Sequence, residues 1–352
     1  MVGRPSKERA TLADVARHAG VSTSTASKAL NGRHDIAKDT RERVLEAVTA
    51  LGYRPTTQWE PPPTRTVAAV FDELASPYVA NVLDGVLAAA TSARANLLVR
   101  SAPDRAVRAT RAAARAWMAE QKESGVIGIV GITLARPNAV LQAAKEVRMP
   151  FVMIDPVDLD DPRTVSVGSA NWAGGRTATE HLLDLGHRRI GWIGGPEASA
   201  AARERLHGYR AALDSAGIEL EQELVRSDSF AIDTGLVHGR ALLALPEPPT
   251  AIVTGDDEIA VGVLAAAREL DVPVPRRLSV VGFDDTPQAG WTSPPLTSVH
   301  QPLAGMGRMA VETLLTMADG VQPASRHVQL ATSLTVRDST APPASRRQGS
   351  QT

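Results

Sequence analysis

The chain has 352 residues, of which 43 % are apolar, and it combines a formal net charge of −1 with no cysteine. At roughly 100–200 residues per domain, this length predicts two or three domains, and a cysteine-free chain excludes disulfide frameworks and thiolate-ligated zinc or iron–sulfur sites. The first residues lack the apolar core of a secretory signal, and no run of about 18 apolar residues occurs. We therefore expect a cytoplasmic location without a membrane span.

Charge is distributed unevenly between the start of the chain and the rest. Residues 1–54 carry ten Lys and Arg against six Asp and Glu, a net charge of +4, whereas the remaining residues carry −5. A basic segment ahead of an acidic body suggests that the first segment meets a polyanion such as nucleic acid. Basic segments of this size also occur as solvated surface, so charge alone leaves both alternatives open.

Residues 1–54, here called the head, are predicted to form three short helices. Thr11 can cap a helix over Leu12–Ala19, and Ser22 can cap a second helix that ends near Leu30. A third helix is predicted over Lys38–Leu51 from its apolar periodicity. The face of this helix expected to point inward comprises Val44, Leu45, Val48 and Leu51.

A proline-rich linker follows the head. Residues 55–65 read PTTQWEPPPTR, and three successive prolines favour a stiff, extended polyproline II conformation. The sequence therefore predicts a domain boundary in this segment.

Residues 66–338, here called the body, alternate short apolar runs with amphipathic, alanine-rich helices. This alternation is typical of parallel sheets covered by helices on both faces. The runs are too many for one comfortable sheet, so we expect two doubly wound α/β lobes, followed by a disordered tail from Ser339. The predicted strands are Val67–Phe71, Asn96–Arg100, Val126–Ile132, Phe151–Ile154, Ile190–Ile193, Leu224–Arg226, Ala251–Val253 and Leu278–Phe283.

The first two predicted helices are joined by a Gly-Val-Ser turn, which is typical of a helix-turn-helix. In that motif the second helix presents side chains to base edges in a groove of DNA. Apart from Ala26, which is expected to face the core, the second helix carries a run of hydroxyl or amine groups: Thr23, Ser24, Thr25, Ser27 and Lys28. The alternative is a capped structural helix that happens to be polar.

Five short motifs mark the head: TLADVA at 11–16, AGVS at 19–22, TASK at 25–28, TRERV at 40–44 and LGYRP at 51–55. Together they resemble the head of a LacI/GalR-family transcriptional regulator, whose second helix lies in the major groove of DNA. The resemblance implies that Thr23, Ser24 and Lys28 face base edges. It also implies phosphate contacts from Thr11, Ser22, Asn31 and Thr40.

The head and linker depart from the family pattern at several positions. Lys28 stands where arginine is usual, which predicts a softer readout of guanine because lysine lacks the bidentate fork. Ala37 stands where a capping serine is usual, so the third helix should be less well capped. Pro62 falls near the leucine that ends the family's hinge helix, which argues against a normal hinge helix. Trp59 is the candidate for the minor-groove wedge, with packing as a structural aromatic as the alternative.

The body carries further motifs: EHL at 180–182, LGHRRI at 185–190, VVGFDD at 280–285 and PPLTSVHQP at 294–302. These resemble the effector domain of the same family, which shares its fold with periplasmic sugar-binding proteins. In such a fold two lobes close on a small ligand at the carboxyl ends of the strands. The candidate ligand contacts are Tyr78, Asp155, Trp172, Arg205, Phe230, Asp256 and Asp284.

Several of these candidates have a structural alternative. Arg205 would otherwise be a helix-surface arginine paired with a carboxylate, and Asp284 would otherwise cap a turn. Asp257 is expected to cap the helix that follows it. Trp172 and Phe230 would otherwise pack in the core.

Catalytic and cofactor motifs are missing from the sequence: it has no G-x-S-x-G elbow, no H-E-x-x-H and no G-x-G-x-x-G loop. We therefore expect no enzyme activity, no cofactor and no metal. The sequence predicts a ligand-responsive repressor that binds a pseudo-palindromic operator as a homodimer, with a sugar as effector. The alternatives are an effector-controlled activator, a sugar-binding transport protein and an α/β enzyme.

Overall fold

The structure is a computed structural model, and it describes residues 10–30, 36–53, 65–135, 137–157 and 163–344. The chain divides into two compact units, and Arg65 is the first residue of the second unit. Within the described ranges, no helix is long and apolar enough to cross a membrane. The predicted linker lies almost entirely outside the described residues.

Three helices form the described part of the first unit: α1 Leu12–His18, α2 Thr23–Leu30 and α3 Lys38–Leu51. Thr11 closes a capping box with Asp14, since each residue's side chain bonds to the other's backbone N–H. At the other end of the unit, Gly52 adopts a left-handed conformation with a φ of 59° and ends α3. These positions agree with the predicted helices.

The core of the head is built from small side chains, among them Val15, Ala26, Val44 and Ala47, all at most 1 % exposed. The prediction that Leu45 points inward is wrong, because 46 % of it is exposed. Residues 44, 47, 48 and 51 recur at helical spacing on one face, and position 45 is rotated by about 100° from position 44.

The second unit contains twelve strands and nine α-helices in the described residues. The strands are β1 Thr66–Phe71, β2 Asn96–Ser101, β3 Val126–Ile132, β4 Phe151–Ile154, β5 Val165–Ser169, β6 Ile190–Gly194, β7 Val225–Ser227, β8 Ala251–Thr254, β9 Ser279–Asp284, β10 Thr297–His300, β11 His327–Leu330 and β12 Ser333–Thr335. The helices are α4 Pro77–Ser92, α5 Arg105–Ala109, α6 Arg111–Glu123, α7 Asn138–Glu146, α8 Asn171–Asp184, α9 Ala200–Ser215, α10 Ile232–Leu243, α11 Asp257–Glu269 and α12 Leu303–Ala318.

The strands form two six-stranded sheets, one in each lobe, which confirms the predicted pair of doubly wound α/β lobes. Lobe 1 has the order β2-β1-β3-β4-β5-β11, and lobe 2 has the order β7-β6-β8-β9-β10-β12. The pairings are parallel except that β12 runs antiparallel to β10. In both sheets the strand order reverses beside the first strand, which is where doubly wound sheets open a crevice at their carboxyl ends.

Among the described residues, the chain passes between the lobes three times. The crossings follow β5, β10 and β11, and they lead into α8, α12 and β12. Helix α12 comes late in the chain but packs on lobe 1, where Met306, Val311 and Leu314 are buried in its core. Each lobe is therefore assembled from separate stretches of sequence.

Helices α8 and α9 of lobe 2 cross at a pair of glycines. A Cβ built on Gly175 would overlap the carbonyl oxygen of Arg205, and one built on Gly208 would overlap that of Trp172. Glycine is required at both positions because the two backbones touch. The pairs α4–α12 and α10–α11 repeat this arrangement, at Gly85 with Gly307 and at Gly235 with Gly262.

Two parts of the body differ from the sequence prediction. Strands β5, β10, β11 and β12 were not among the predicted strands; β11 and β12 are short, contain no fully buried residue and carry no apolar run. The prediction of disorder from Ser339 is wrong for the first residues of that segment. Ser339 is fully buried, its hydroxyl donates to the Val280 carbonyl at 2.6 Å, and it accepts from the Thr297 N–H at 2.8 Å.

Candidate DNA-reading face and ligand cleft

Helix α2 presents a polar face of small side chains. Ser22 caps the helix, since its hydroxyl accepts from the Thr25 N–H at 3.1 Å. Ala26 and Ala29 are buried on the inner face of the helix. The outer face leaves Thr23, Ser24 and Lys28 exposed.

The other head residues predicted to contact DNA are placed less uniformly. Thr11 is exposed, and its hydroxyl donates to Asp14 Oδ2 at 2.6 Å within the capping box. Ser27 and Thr40 are half-buried. Asn31, Trp59 and Pro62 lie outside the described residues.

Helix α3 lacks a side-chain cap, as predicted. Ala37 occupies the N-cap position and makes no side-chain hydrogen bond to the first turn. At least one of the backbone donors at this helix end therefore lacks the partner that a serine supplies.

The two lobes enclose a cavity of about 270 Å³ at the carboxyl ends of their strands. Asp155 follows β4 of lobe 1, whereas Asp256 follows β8 and Asp284 ends β9 of lobe 2. The topology predicts this convergence, because parallel strands present their carboxyl ends at one edge of a sheet. Six of the seven predicted ligand contacts line this cavity, here called the cleft: Tyr78, Asp155, Arg205, Phe230, Asp256 and Asp284.

Arg205 is the cation at the centre of the cleft. Only 3 % of it is exposed, which rules out a helix-surface arginine. Its Nε donates to Asn171 Oδ1 at 2.7 Å, and its Nη1 donates to the Gly255 carbonyl at 2.6 Å and lies 3.4 Å from Asp284 Oδ1. The guanidinium carbon also lies 3.8 Å from the ring centre of Phe283. The fork is thus fixed in one orientation.

Asp284 faces Arg205 at the end of β9. Its φ is 102°, and that of Asp285 is 54°. Two successive residues therefore have a positive φ where the chain leaves the strand. Gln301 Nε2 donates to Asp284 Oδ1. Burial raises the pKa of Asp284 well above its usual value, and the charge of Arg205 opposes this shift. Asp285 instead pairs with Arg337 at 2.7 Å.

Of the neighbouring acids Asp256 and Asp257, both buried, the first and not the second caps helix α11. Asp256 is the N-cap of α11, since its Oδ1 accepts from the Ile259 N–H at 2.7 Å, so the expectation that Asp257 caps this helix is wrong. Asp257 accepts from the Thr286 N–H at 2.8 Å and from the Ser298 hydroxyl at 2.5 Å. Burial raises the pKa of Asp256 to about 7 and that of Asp257 to about 6.

Lobe 1 contributes a phenol and a carboxyl group to the cleft. Tyr78, in the first turn of α4, donates from its hydroxyl to Asp155 Oδ2 at 2.6 Å. Burial raises the pKa of both groups, and for Tyr78 the charge of Asp155 adds to the shift. Ser76, one residue before α4, reaches across to Glu258 of lobe 2 at 3.5 Å.

One predicted ligand contact does not reach the cleft. Trp172 is 42 % exposed, and its ring lies 5.6 Å from the guanidinium of Arg176 on the outer side of α8. The preceding residue, Asn171, is buried instead, and its side chain accepts a hydrogen bond from Arg205. One residue along a helix is a rotation of about 100°, so both side chains cannot face inward.

The cleft is rich in hydrogen-bond acceptors. Carboxylates from both lobes and several hydroxyl groups line the cleft together with Arg205, and Phe230 adds an aromatic face. Such a lining suits an uncharged ligand with many hydroxyl groups, which donate to carboxylates and stack C–H faces on an aromatic ring. The carboxylates are Asp72, Glu73, Asp155, Asp256 and Asp284, and the hydroxyls are Ser76, Tyr78, Thr133 and Ser199.

Sequence reasoning missed Asn171 and Gln301, the two amides that hold Arg205 and Asp284. Both follow a strand after which the chain passes to the other lobe: Asn171 comes two residues after β5, and Gln301 comes directly after β10. A polar residue shortly after each of these strands was the available signal. It was not usable because neither strand had been recognised.

Two family models match the chain. Residues 11–56 match the bacterial regulatory proteins of the lacI family, and residues 179–340 match the periplasmic binding protein-like domain. The HTH-type transcriptional regulator CelR of Thermobifida fusca is 34 % identical over 348 residues, covering 95 % of this chain and 99 % of CelR. The ribose operon repressor of Haemophilus influenzae is 32 % identical and covers 87 % of this chain and 91 % of its own.

Solved structures agree with these sequence matches. A complex of the transcriptional regulator CelR with cellobiose has a TM-score of 0.70 and 32 % identity, covering 94 % of this chain and 100 % of that one. A lac repressor dimer bound to operator and the anti-inducer ONPF has a TM-score of 0.75 and 26 % identity, covering 95 % of this chain and 100 % of that one.

Proposed function

The chain belongs to the LacI family of bacterial regulatory proteins, and from this premise we propose that it is a transcriptional repressor controlled by a small, hydroxyl-rich effector. The observation that carries the proposal is the presence of a helix-turn-helix head and an acceptor-rich cleft in one chain. A sugar-binding transport protein would need only the cleft, so that alternative function does not account for the head.

The DNA contacts that we propose lie on α2 and at its flanks. Thr23, Ser24 and Lys28 are exposed on the outer face of this helix and would reach base edges in the major groove. Ser27 lies on the same helix. Phosphate contacts are assigned to Thr11, Ser22, Asn31 and Thr40.

We propose that the regulator acts as a homodimer. One helix-turn-helix reads only a few base pairs, and two heads on a two-fold axis read half-sites spaced by about one helical turn. The related lac repressor structure is a dimer bound to operator, which supports this assembly.

The effector is proposed to be a sugar held by the six predicted contacts that line the cleft. Arg205 and Asp284 would fix ring hydroxyls, Asp155 and Asp256 would accept from further hydroxyls, and Phe230 would stack on the ring. The cellobiose complex of CelR supports this ligand class. The cleft would bind this ligand without transforming it, and the protein would act on DNA in the bacterial cytoplasm.

Control of DNA binding follows from linkage. An effector changes the affinity for DNA only by as much as its own affinity differs between the two states of the protein. The two lobes are joined by three chain crossings, a connection suited to two relative arrangements of the lobes. The effector would favour one arrangement because its contacts come from both lobes.

The test is a mobility-shift titration of the full chain with pseudo-palindromic duplexes selected from fragments of its own genome. Lys28→Ala removes a cationic donor from the outer face of α2, so we expect operator affinity to fall by about 1–3 kcal/mol and base preference to relax at one position per half-site. Lys122→Ala, on an exposed position of α6, is the matched control. Unchanged affinity and base preference in Lys28→Ala would contradict the assignment of α2 as the reading helix.

A further inference from the structure

A second cavity adjoins the cleft. It measures about 530 Å³ and shares Asp155 and Ala201 with the cleft. Its walls come from the start of α9 in lobe 2 and from β5 and β11 in lobe 1. The polar residues that line it, besides Asp155, are Ser166, Ser169, Asn171, Glu204, His327 and Gln329.

The polar groups of the second cavity offer both donors and acceptors. Gln329 Nε2 lies 3.4 Å from Glu204 Oε2, and His327 Nδ1 lies 3.0 Å from the Ser166 hydroxyl. Glu204 is half-buried, and burial together with the charge of Asp155 raises its pKa. Amides, hydroxyls, imidazole and carboxyl groups of this kind recognise hydroxyls on an uncharged ring.

Asn171 connects the two cavities. Its Oδ1 accepts from Arg205 Nε at 2.7 Å on the side of the cleft, and the residue also lines the second cavity. Glu204 and Arg205 are neighbours on α9, one facing each cavity. A ligand in both cavities would therefore contact a continuous set of hydrogen-bonded side chains.

The size of the cleft limits what it encloses by itself. At about 270 Å³ it falls just below the roughly 300–1,000 Å³ of pockets that surround drug-sized ligands. A ligand of two linked rings needs more room, and the shared wall at Asp155 and Ala201 leads into the larger space.

We propose that the second cavity is a subsite for the second ring of an effector with at least two linked sugar rings, which passes from one cavity to the other beside Asp155. This inference rests on the proposed function, since it requires that the effector is a sugar. Glu204, His327 and Gln329 would select the second ring, whereas the cleft holds the first.

The test compares oligomers of increasing length on the full chain by calorimetry. Probes are the one-, two- and three-ring members of α- and β-linked glucose, galactose, mannose and xylose series. In at least one series, we expect the two-ring member to bind at least about tenfold more tightly than the one-ring member, which is ~1.4 kcal/mol. The double variant His327→Ala with Gln329→Ala should remove this gain and leave the affinity for the single ring unchanged.

Matched substitutions at His207 and Gln222 serve as the control, because both residues are exposed and line neither cavity. A single ring that binds as tightly as any longer member would overturn the subsite but leave the sugar-controlled regulator intact. The same conclusion follows if the double variant keeps the gain. Absence of binding by every member would refute the sugar effector itself and the subsite with it.

Discussion

Asp256 and Asp284 face Arg205 from the ends of neighbouring strands in lobe 2. Arg205 is the cation of the cleft, and several buried carboxyl groups share it. Like charges that share one site disfavour each other's ionisation. This explains why the charge of Asp256 raises the pKa of Asp284 in addition to the effect of burial, and why the charges of Glu258 and Asp257 do the same for Asp256.

This arrangement makes stability depend on pH. In the unfolded chain Asp256 ionises near its usual pKa of 3.8, whereas in the folded chain burial raises that pKa to about 7. The folded state therefore binds more protons between these values, so the free energy of unfolding should fall as the pH rises through this window. For one group the slope is at most ~1.4 kcal/mol per pH unit.

Asp256→Asn tests this prediction. Asparagine does not ionise but keeps the oxygen that accepts from the Ile259 N–H, and it is an equally good N-cap. Urea unfolding at intervals from about pH 4 to about pH 7 should show a shallower decline in the variant than in the parent chain. Asp228→Asn, at an exposed position, is the control. Equal slopes in all three proteins would contradict the prediction.

At the residue scale, the sequence predicted which side chains meet but not every role. The convergence of Asp256 and Asp284 was predictable because the strands that they follow or end can be recognised as apolar runs. Arg205 lies on helix α9 and was identified from the family resemblance instead. The errors at Asp257 and Trp172 are each a shift of one position along the chain. They arise because the exact first residue of a helix decides which side chain turns inward. Such a shift depends on tertiary packing, which local patterns do not contain.

Helices α8 and α9 place Arg205 through their contact at Gly175 and Gly208. The close approach of the two backbones leaves no room for a side chain. The position of Arg205 is therefore set partly by a residue on another helix that lines neither cavity.

Gly175→Ala should separate the two helices and displace Arg205. We expect the free energy of unfolding to fall by about 1–3 kcal/mol because of overpacking, and the affinity for the effector to fall by about tenfold or more. Calorimetric titration and urea unfolding of the same preparation measure both effects. Thr177→Ala, exposed on the same helix, should change neither. Unchanged ligand affinity in Gly175→Ala would show that the glycine pair does not position Arg205.

At the element scale, segments with a clear apolar pattern were predictable and segments without one were not. Helix α3 and strands β3 and β4 were predicted with their observed bounds, because each is a clear run of one period. Strands β11 and β12 form through pairing with β5 and β10, partners distant in the sequence. Their own residues carry too little apolar pattern to indicate a strand.

At the scale of the whole molecule, the proposed function assigns separate tasks to the two compact units. Arg205 and Asp284 lie in the second unit, whereas the proposed DNA contacts lie in the first. We expect Arg205→Ala and Asp284→Asn to abolish the response to the effector while operator binding without effector stays unchanged. Asparagine is suitable at position 284 because it tolerates a positive φ.

Mobility-shift titrations with and without the effector measure this separation directly. Lys28→Ala provides the opposite case, in which operator affinity falls while the effector still binds in calorimetry. If Arg205→Ala and Asp284→Asn are folded but lose operator binding as well, the two tasks are not separable in the way proposed here.

Helix α12 is translated long after the strands that it covers, and this order has a consequence for folding on the ribosome. The strands β1 to β5 are complete by Ser169, but the apolar side chains that cover them, from Leu303 to Leu314, are translated much later. At about 5–20 residues per second this interval is on the order of ten seconds. During that time the nascent sheet exposes an apolar surface that attracts chaperones or other chains. A messenger RNA that is truncated before codon 303 therefore yields an aggregation-prone fragment rather than a folded lobe 1.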